Sequence, residues 1–289
     1  MRSAARTQKL PRKLLPTLRQ FSDLDILVAT WDYHFRVAEL LASHGWRLTS
    51  DYGWGKTFMD VTGRIRLDVH ERVADREIPV SINFNRIWKR CLVISLLGAS
   101  VRTFAPSDLL IILCVQLAKD AAPNKNGIPD RIPLIKVCDI AELLTSRQHI
   151  DWKWVFREAG RLGILRIVYV GIRTACDLLR IDVPKEVLQK KEATQSLDSL
   201  VTHVGECVLG RIGRGYSHPE LLEERRYYSE MLERAWDRVH MRHVYWVTPN
   251  VLDYSFLRLP RRLFPLYYLV RPIRIVCKYM RREWAPPSS

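Results

Sequence analysis

Residues 21–28, Phe-Ser-Asp-Leu-Asp-Ile-Leu-Val, set two carboxylates one residue apart inside an otherwise apolar, β-forming run. Side chains on a strand alternate faces, so Asp23 and Asp25 point the same way, about 6.5–7 Å apart at their Cα atoms. Leu24, Ile26 and Val28 then take the opposite face. Two like charges side by side on a half-buried strand repel each other and cost desolvation energy. A shared divalent cation relieves both problems. Mg²⁺ prefers oxygen ligands and is typically held by one or two carboxylates together with substrate phosphates. The pair therefore points to phosphoryl or nucleotidyl transfer. The plain alternative is a strand end that solvates both groups.

A second stretch, Arg64-Ile65-Arg66-Leu67-Asp68-Val69-His70, alternates in the same way. Ile65, Leu67 and Val69 share one face; Arg64, Arg66, Asp68 and His70 share the other. If this strand lies beside strand 23–29, Asp68 joins Asp23 and Asp25. Three carboxylates can hold two metal ions, one activating an attacking hydroxyl and the other neutralising a leaving pyrophosphate. Arg66 and His70, on the same face, are then placed to contact phosphate oxygens. The competing reading is a polar solvent face on which Arg66 and Asp68 merely pair with neighbours.

The rest of the chain reads as α+β: a small mixed sheet followed by a mostly helical part. A helix is predicted over 32–44, with Val37, Leu40 and Leu41 on one face and Gly45 just beyond its end. A short strand follows at 46–50. Strands 56–61 and 64–73 form a hairpin across Thr62-Gly63. Residues 78–82 read as extended, 85–90 as helical, and 92–97 with 101–104 as strands around Gly98. The character changes at Ala105-Pro106-Ser107, where Pro106 blocks helix before it and Ser107 can cap the helix that follows. Helices are expected over 107–121, 133–146, 151–162, 164–180, 184–209 and 219–240. The domains are accordingly drawn as 1–105, a small α/β domain, and 106–289, helical with a basic end.

Charge and cysteine usage bound the partners. The net charge of +15 is uneven. Residues 1–20 carry six Lys or Arg and residues 258–282 carry eight, with no acid in either stretch. Such segments favour polyanions: nucleotide, nucleic acid or an anionic lipid surface. The six cysteines are widely spaced, most within apolar runs, and read as reduced core residues of a cytoplasmic protein. The longest apolar stretch, around 109–118, is too short for a membrane span of roughly 20 residues. The basic N-terminus lacks the apolar region of a secretory signal.

The order of these motifs resembles a bacterial family of uncharacterised nucleotidyltransferases, similar to the DNA polymerase β-type enzymes. The residues that carry the likeness begin with Arg19, the 21–28 strand, His44-Gly45-Trp46 and Leu67-Asp68-Val69-His70. It continues through Arg102-Thr103-Phe104-Ala105-Pro106-Ser107-Asp108-Leu109-Leu110, Cys138-Asp139-Ile140-Ala141-Glu142-Leu143-Leu144 and Ile150-Asp151-Trp152. Ala159-Gly160-Arg161-Leu162-Gly163, Thr248-Pro249 and the run from Leu259 to Pro272 complete it. The resemblance implies that Asp23, Asp25 and Asp68 are the metal-binding and catalytic carboxylates. It implies Mg²⁺ or Mn²⁺ as cofactor and an NTP as substrate. A nucleoside monophosphate would pass to a hydroxyl of an acceptor that the family does not supply, a small molecule or a protein. Nucleic acid is the less favoured partner.

Nucleotidyltransferases of this type carry a glycine-containing motif before the Asp-x-Asp strand, whose backbone amides cradle the triphosphate. Residues 1–20 contain no glycine, so the chain as written is expected to lack that motif. Two further readings stand beside the enzyme. One is a catalytically inactive relative that binds nucleotide or protein. The other is a peripheral binder of anionic surfaces acting through residues 258–282, where Arg alternates with Leu, Phe, Tyr and Ile. Its plain counterpart is a helix packed on the core with its arginine tips exposed.

Overall fold

A computed structural model describes residues 23–29, 31–51, 55–70, 72–73, 80, 83–96, 98–122, 132–146, 149–184, 187, 194–210, 220–239, 247, 253, 256–257, 259 and 261–283. The expected extended segment 78–82 and the loop at 123–129 fall largely outside these. The chain divides into two compact units, Met1–Arg72 and Val73–Ser289. A small mixed sheet lies in the first and the helices dominate the second, an α+β arrangement.

The first unit is a four-stranded sheet in the order β1-β4-β3-β2, with one helix. Its elements are β1 (Leu24–Leu27), α1 (Trp31–Ser43), β2 (Arg47–Asp51), β3 (Gly55–Met59) and β4 (Arg66–His70). β1 pairs with β4 in parallel, and the other neighbours pair antiparallel. Val28, Phe58, Leu67 and Val69 form the core of this sheet, with Val37, Ala38 and Leu41 of α1 and Trp46 packed on it. The predicted helix therefore presents its expected apolar face. Its end is a paired-bond cap. Gly45 N–H donates to Ala42 O at 3.0 Å and Trp46 N–H to Leu41 O at 2.9 Å, which needs a left-handed residue at Gly45, where φ is 80°. A Cβ there would lie 2.8 Å from Val61 Cγ1, so glycine is required by conformation and by space.

Among the described residues β1 is an edge strand, and although Val28 is buried, Leu24 stays 54% exposed and Ile26 42%. The core lies under the interior strands β3 and β4, and alternation alone does not distinguish an edge from a centre.

The β3–β4 turn is closed by Asp60. Its Oδ1 accepts the backbone N–H groups of Arg64 and Ile65, each at 2.8 Å, and its Oδ2 accepts from the backbone and hydroxyl of Thr62. These donors, the Ile65 amide foremost, pull the Asp60 carboxyl from 3.8 down to about 2 despite its burial. A depressed carboxylate contributes stability that is full above its unfolded pKa and is lost as pH falls through its folded one. The contribution should therefore be complete above about pH 4 and disappear towards pH 2. Asp60→Asn should be less stable than the parent in urea at pH 6, and the gap should close on acidification. Parallel pH profiles for the two proteins would rule out this role.

In the second unit a short helix, α2 (Phe84–Trp88), precedes a hairpin of β5 (Leu92–Leu96) and β6 (Ala99–Thr103). That hairpin forms its own two-stranded sheet and adds nothing to the four-stranded one. The helices are α3 (Pro106–Asp120), α4 (Ile135–Thr145), α5 (Trp152–Leu162), α6 (Leu165–Leu179), α7 (Thr194–Leu209), α8 (Glu220–Met231) and α9 (Tyr267–Glu283), the last entered through a 3₁₀ turn at Arg261–Leu266. Leu110, Cys114, Val137, Ile140, Val168 and Ile172 are among the side chains that fill a common core.

Ser107 is not the cap of α3. The cap is Ala105, without a side-chain bond, because Pro106 opens the helix with its fixed φ. The Ser107 hydroxyl instead accepts the Asp151 amide at 2.9 Å, while Asp151 caps α5 by accepting from Trp154 N. Of the expected helix 184–209, the described residues Val187 and Thr194–Leu209 are helical, and Pro184 at its start is not. The expected helix 219–240 breaks at 232–234. The break puts Glu233 on the amide of Arg166 at the start of α6, at 2.7 Å. It also puts Arg234 on the carbonyls of Gly160 and Arg161 at the end of α5, each at 2.8 Å. An acid at a helix N-terminus and a base at a C-terminus satisfy orphan backbone groups and suit the helix dipole.

Candidate active site

Parallel pairing of β1 with β4 sets Asp25 opposite Asp68 and Leu27 opposite His70. Side-chain alternation then collects Asp23, Asp25, Arg66, Asp68 and His70 on one face of the sheet, and Leu67 and Val69 on the other, in the core. The charge pattern of both strands is thereby explained by a single register. Arg64 lies outside β4, in the turn, where its backbone N–H donates to Asp60 Oδ1.

The five side chains form two linked groups. The Arg66 guanidinium donates to Asp23 Oδ2 and, at 3.2 Å, to Asp68 Oδ2. Burial pulls the Arg66 pKa down, but the charges of Asp68 and Asp23 outweigh it and leave it raised. His70 Nε2 lies 2.9 Å from Asp25 Oδ1. Asp25 is well exposed, whereas the Asp68 side chain is only 13% exposed. Asp68 Oδ1 is buried and, among the described residues, has no hydrogen-bond partner.

A buried carboxylate oxygen without a donor is costly unless something else meets its charge. Ligand atoms of Asp25, Asp68 and His70 all lie within 4.8 Å of one another, a spacing one metal ion could bridge. Two carboxylates suit Mg²⁺ or Mn²⁺, and the imidazole adds a nitrogen that suits Mn²⁺ better. The donor set therefore fits a divalent cation. Asp23, named with the metal ligands from the sequence, stands on the far side of Arg66 in this arrangement, while His70, named for phosphate contact, stands with the carboxylates.

Gly55 is the residue that sequence reasoning missed. It opens β3 opposite His70, and a Cβ on it would come within 3.1 Å of His70 Nδ1 and 3.5 Å of Val69 O. Glycine leaves the imidazole room to turn towards Asp25. The signal available in the sequence was a glycine at the first position of a strand, which marks a close approach. The expected absence of a glycine motif concerns residues 1–20, outside the described residues.

No curated protein and no solved structure matches the chain. Residues 15–180, more than half of the chain, match the family described as uncharacterised nucleotidyltransferase, and the match takes in both carboxylate-bearing strands. The chain belongs to that nucleotidyltransferase family.

Proposed function

We propose that the protein is a metal-dependent nucleotidyltransferase that moves a nucleoside monophosphate from an NTP to a hydroxyl of a small-molecule or protein acceptor. The observation that carries this reading is the buried Asp68 Oδ1, which has no hydrogen-bond partner among the described residues, beside Asp25 and His70. Asp23, Asp25 and Asp68 would hold Mg²⁺ or Mn²⁺, with His70 able to join them. When bound, the ion supplies charge neutralisation for the triphosphate and the leaving pyrophosphate. The acceptor oxygen would form the new bond to the α-phosphorus as the α–β phosphoanhydride bond breaks and pyrophosphate leaves, and Asp68 would take the hydroxyl proton. Arg66 offers its guanidinium fork, and His70 its ring, to phosphate oxygens.

The test has two readouts. Mn²⁺ binding followed by electron paramagnetic resonance should weaken at least about tenfold in Asp25→Ala, because one of few charged ligands is removed. Each α-labelled NTP, incubated with the protein, Mg²⁺ and an acceptor extract, should yield pyrophosphate and a labelled product. If neither the metal nor any NTP binds, the proposal fails. Binding of both with no pyrophosphate released would support the second reading, a nucleotide-binding module. Arg66, already bridging Asp23 and Asp68, gives that reading its physical basis.

A further inference from the structure

The last helix turns two arginines inward beside Tyr267 and Ile275 and leaves an apolar stripe outward. Tyr267, Arg271, Arg274 and Ile275 recur along α9 at the spacing of one helical face, and Tyr267, Arg271 and Ile275 are buried. Asp253, fully buried, accepts from Arg271 Nη1 at 3.1 Å and from Arg274 Nε. The Tyr267 hydroxyl donates to Leu257 O at 2.6 Å and accepts from Leu259 N at 2.9 Å. These bonds fix the rotation of the helix. The opposite face is a stripe of Leu269, Ile273 and Val276, with Leu266 one turn earlier in the entering 3₁₀ turn. All four are exposed, Leu269 by 63% and Ile273 by 60%. Against the expectation of a helix packed on the core with its arginine tips exposed, Tyr267 and Ile275 do face inward, but Arg271 and Arg274 turn inward with them and the apolar stripe faces solvent.

The stripe cannot turn inward without breaking the ion pairs at Asp253. Apolar side chains aligned in this way mark a surface that something covers. The charge around them selects what. Besides Arg271 and Arg274, which are paired inward, residues 258–282 hold six Lys or Arg and no Asp or Glu, in a chain of net charge +15. A second copy would bring an equally basic segment to the same face and be repelled. An anionic bilayer complements both properties, taking apolar side chains at the acyl boundary and basic ones among its headgroups. No helix among the described residues is long and apolar enough to cross a membrane, so the fitting mode is to lie in the interface. From Leu266 to Val276 the stripe runs about 15 Å.

We propose that the outward face of α9, centred on Leu269 and Ile273, docks the protein on the surface of an anionic phospholipid bilayer. The proposal uses none of the residues of the candidate active site and stands or falls apart from it. The full chain is sedimented with vesicles of phosphatidylcholine alone and of phosphatidylcholine with phosphatidylglycerol. Binding should be strong on the anionic vesicles, weak on the neutral ones and reduced by salt. Leu269→Ser with Ile273→Ser should lower the partition at least about tenfold, since two apolar side chains no longer enter the acyl boundary. The double variant should keep the parent's circular dichroism spectrum and melting curve, because both side chains already face solvent. Failure to bind anionic vesicles, equal binding to both vesicle types, or binding unchanged in the variant would overturn the proposal. So would a dimer in light scattering that becomes a monomer in the variant with no vesicle binding by either, which would assign the stripe to a second copy.

Discussion

Asp68→Asn is expected to lower nucleotidyl transfer by roughly a hundred- to ten-thousand-fold, the range lost with a positioned base or charged ligand, while leaving the fold intact. The substitution is nearly isosteric. It keeps an oxygen for the Arg66 guanidinium, now 3.2 Å away, and removes the negative charge and the basicity of the buried Oδ1. Activity should fall because that oxygen is the one held out of water with nothing bonded to it among the described residues. Stability should move the other way. Asp25 and Asp68 are register partners, so neutralising one relieves repulsion between like charges and the cost of burying an unsatisfied carboxylate. A melting temperature equal to or above the parent's, together with lost pyrophosphate release, is the signature of a residue kept for chemistry at the expense of stability. A variant that retains activity would remove Asp68 from the reaction. A variant that melts several degrees lower would make it a structural partner of Arg66.

Much of this site was legible because period-2 alternation is a strong constraint. Once strands 23–29 and 64–73 are set side by side, Asp23, Asp25, Arg66, Asp68 and His70 must share a face, whatever else the fold does. The hairpin across Thr62-Gly63 and the glycine-capped end of α1 were equally local. Features that depend on distant neighbours were not. Nothing in the Asp-x-Asp run says that β1 is an edge strand, so the exposure of Leu24 and Ile26 came only with the sheet order. Ser107 has the chemistry of a cap, but Pro106 takes the first helical position and Asp151, 44 residues on, takes the hydroxyl. The break at 232–234 follows from the ends of α5 and α6, which draw Arg234 and Glu233 out of one continuous helix. His70 faces Asp25 because Gly55, on a third strand, makes room for its ring.

Replacing Asp253 by Ala is expected to destabilise the second unit by about 3 kcal/mol, the loss typical when one partner of a buried ion pair is removed. For a unit of this size that is a fall of roughly 6–12 °C in its unfolding midpoint. Asp253 is fully buried and Arg271 nearly so, whereas the Arg274 side chain keeps some exposure. Without the carboxylate, Arg274 can recover hydration, but Arg271 loses a countercharge where water cannot replace it. A second variant isolates this cause. Asp253→Leu with Arg271→Met removes both charges and keeps apolar volume, so it should regain most of the lost stability. Asp253→Ala within about 0.5 kcal/mol of the parent, the range of an ordinary surface change, would show that the ion pairs do not hold α9. A loss that the double variant does not recover would point to packing instead of charge. The same carboxylate fixes which face of α9 meets solvent. Freed from it, the helix can turn its leucine and isoleucine stripe inward, because hydrophobic burial then opposes no buried charge pair. Stability and the outward apolar face are thus set by one residue, and both should change together when it is replaced.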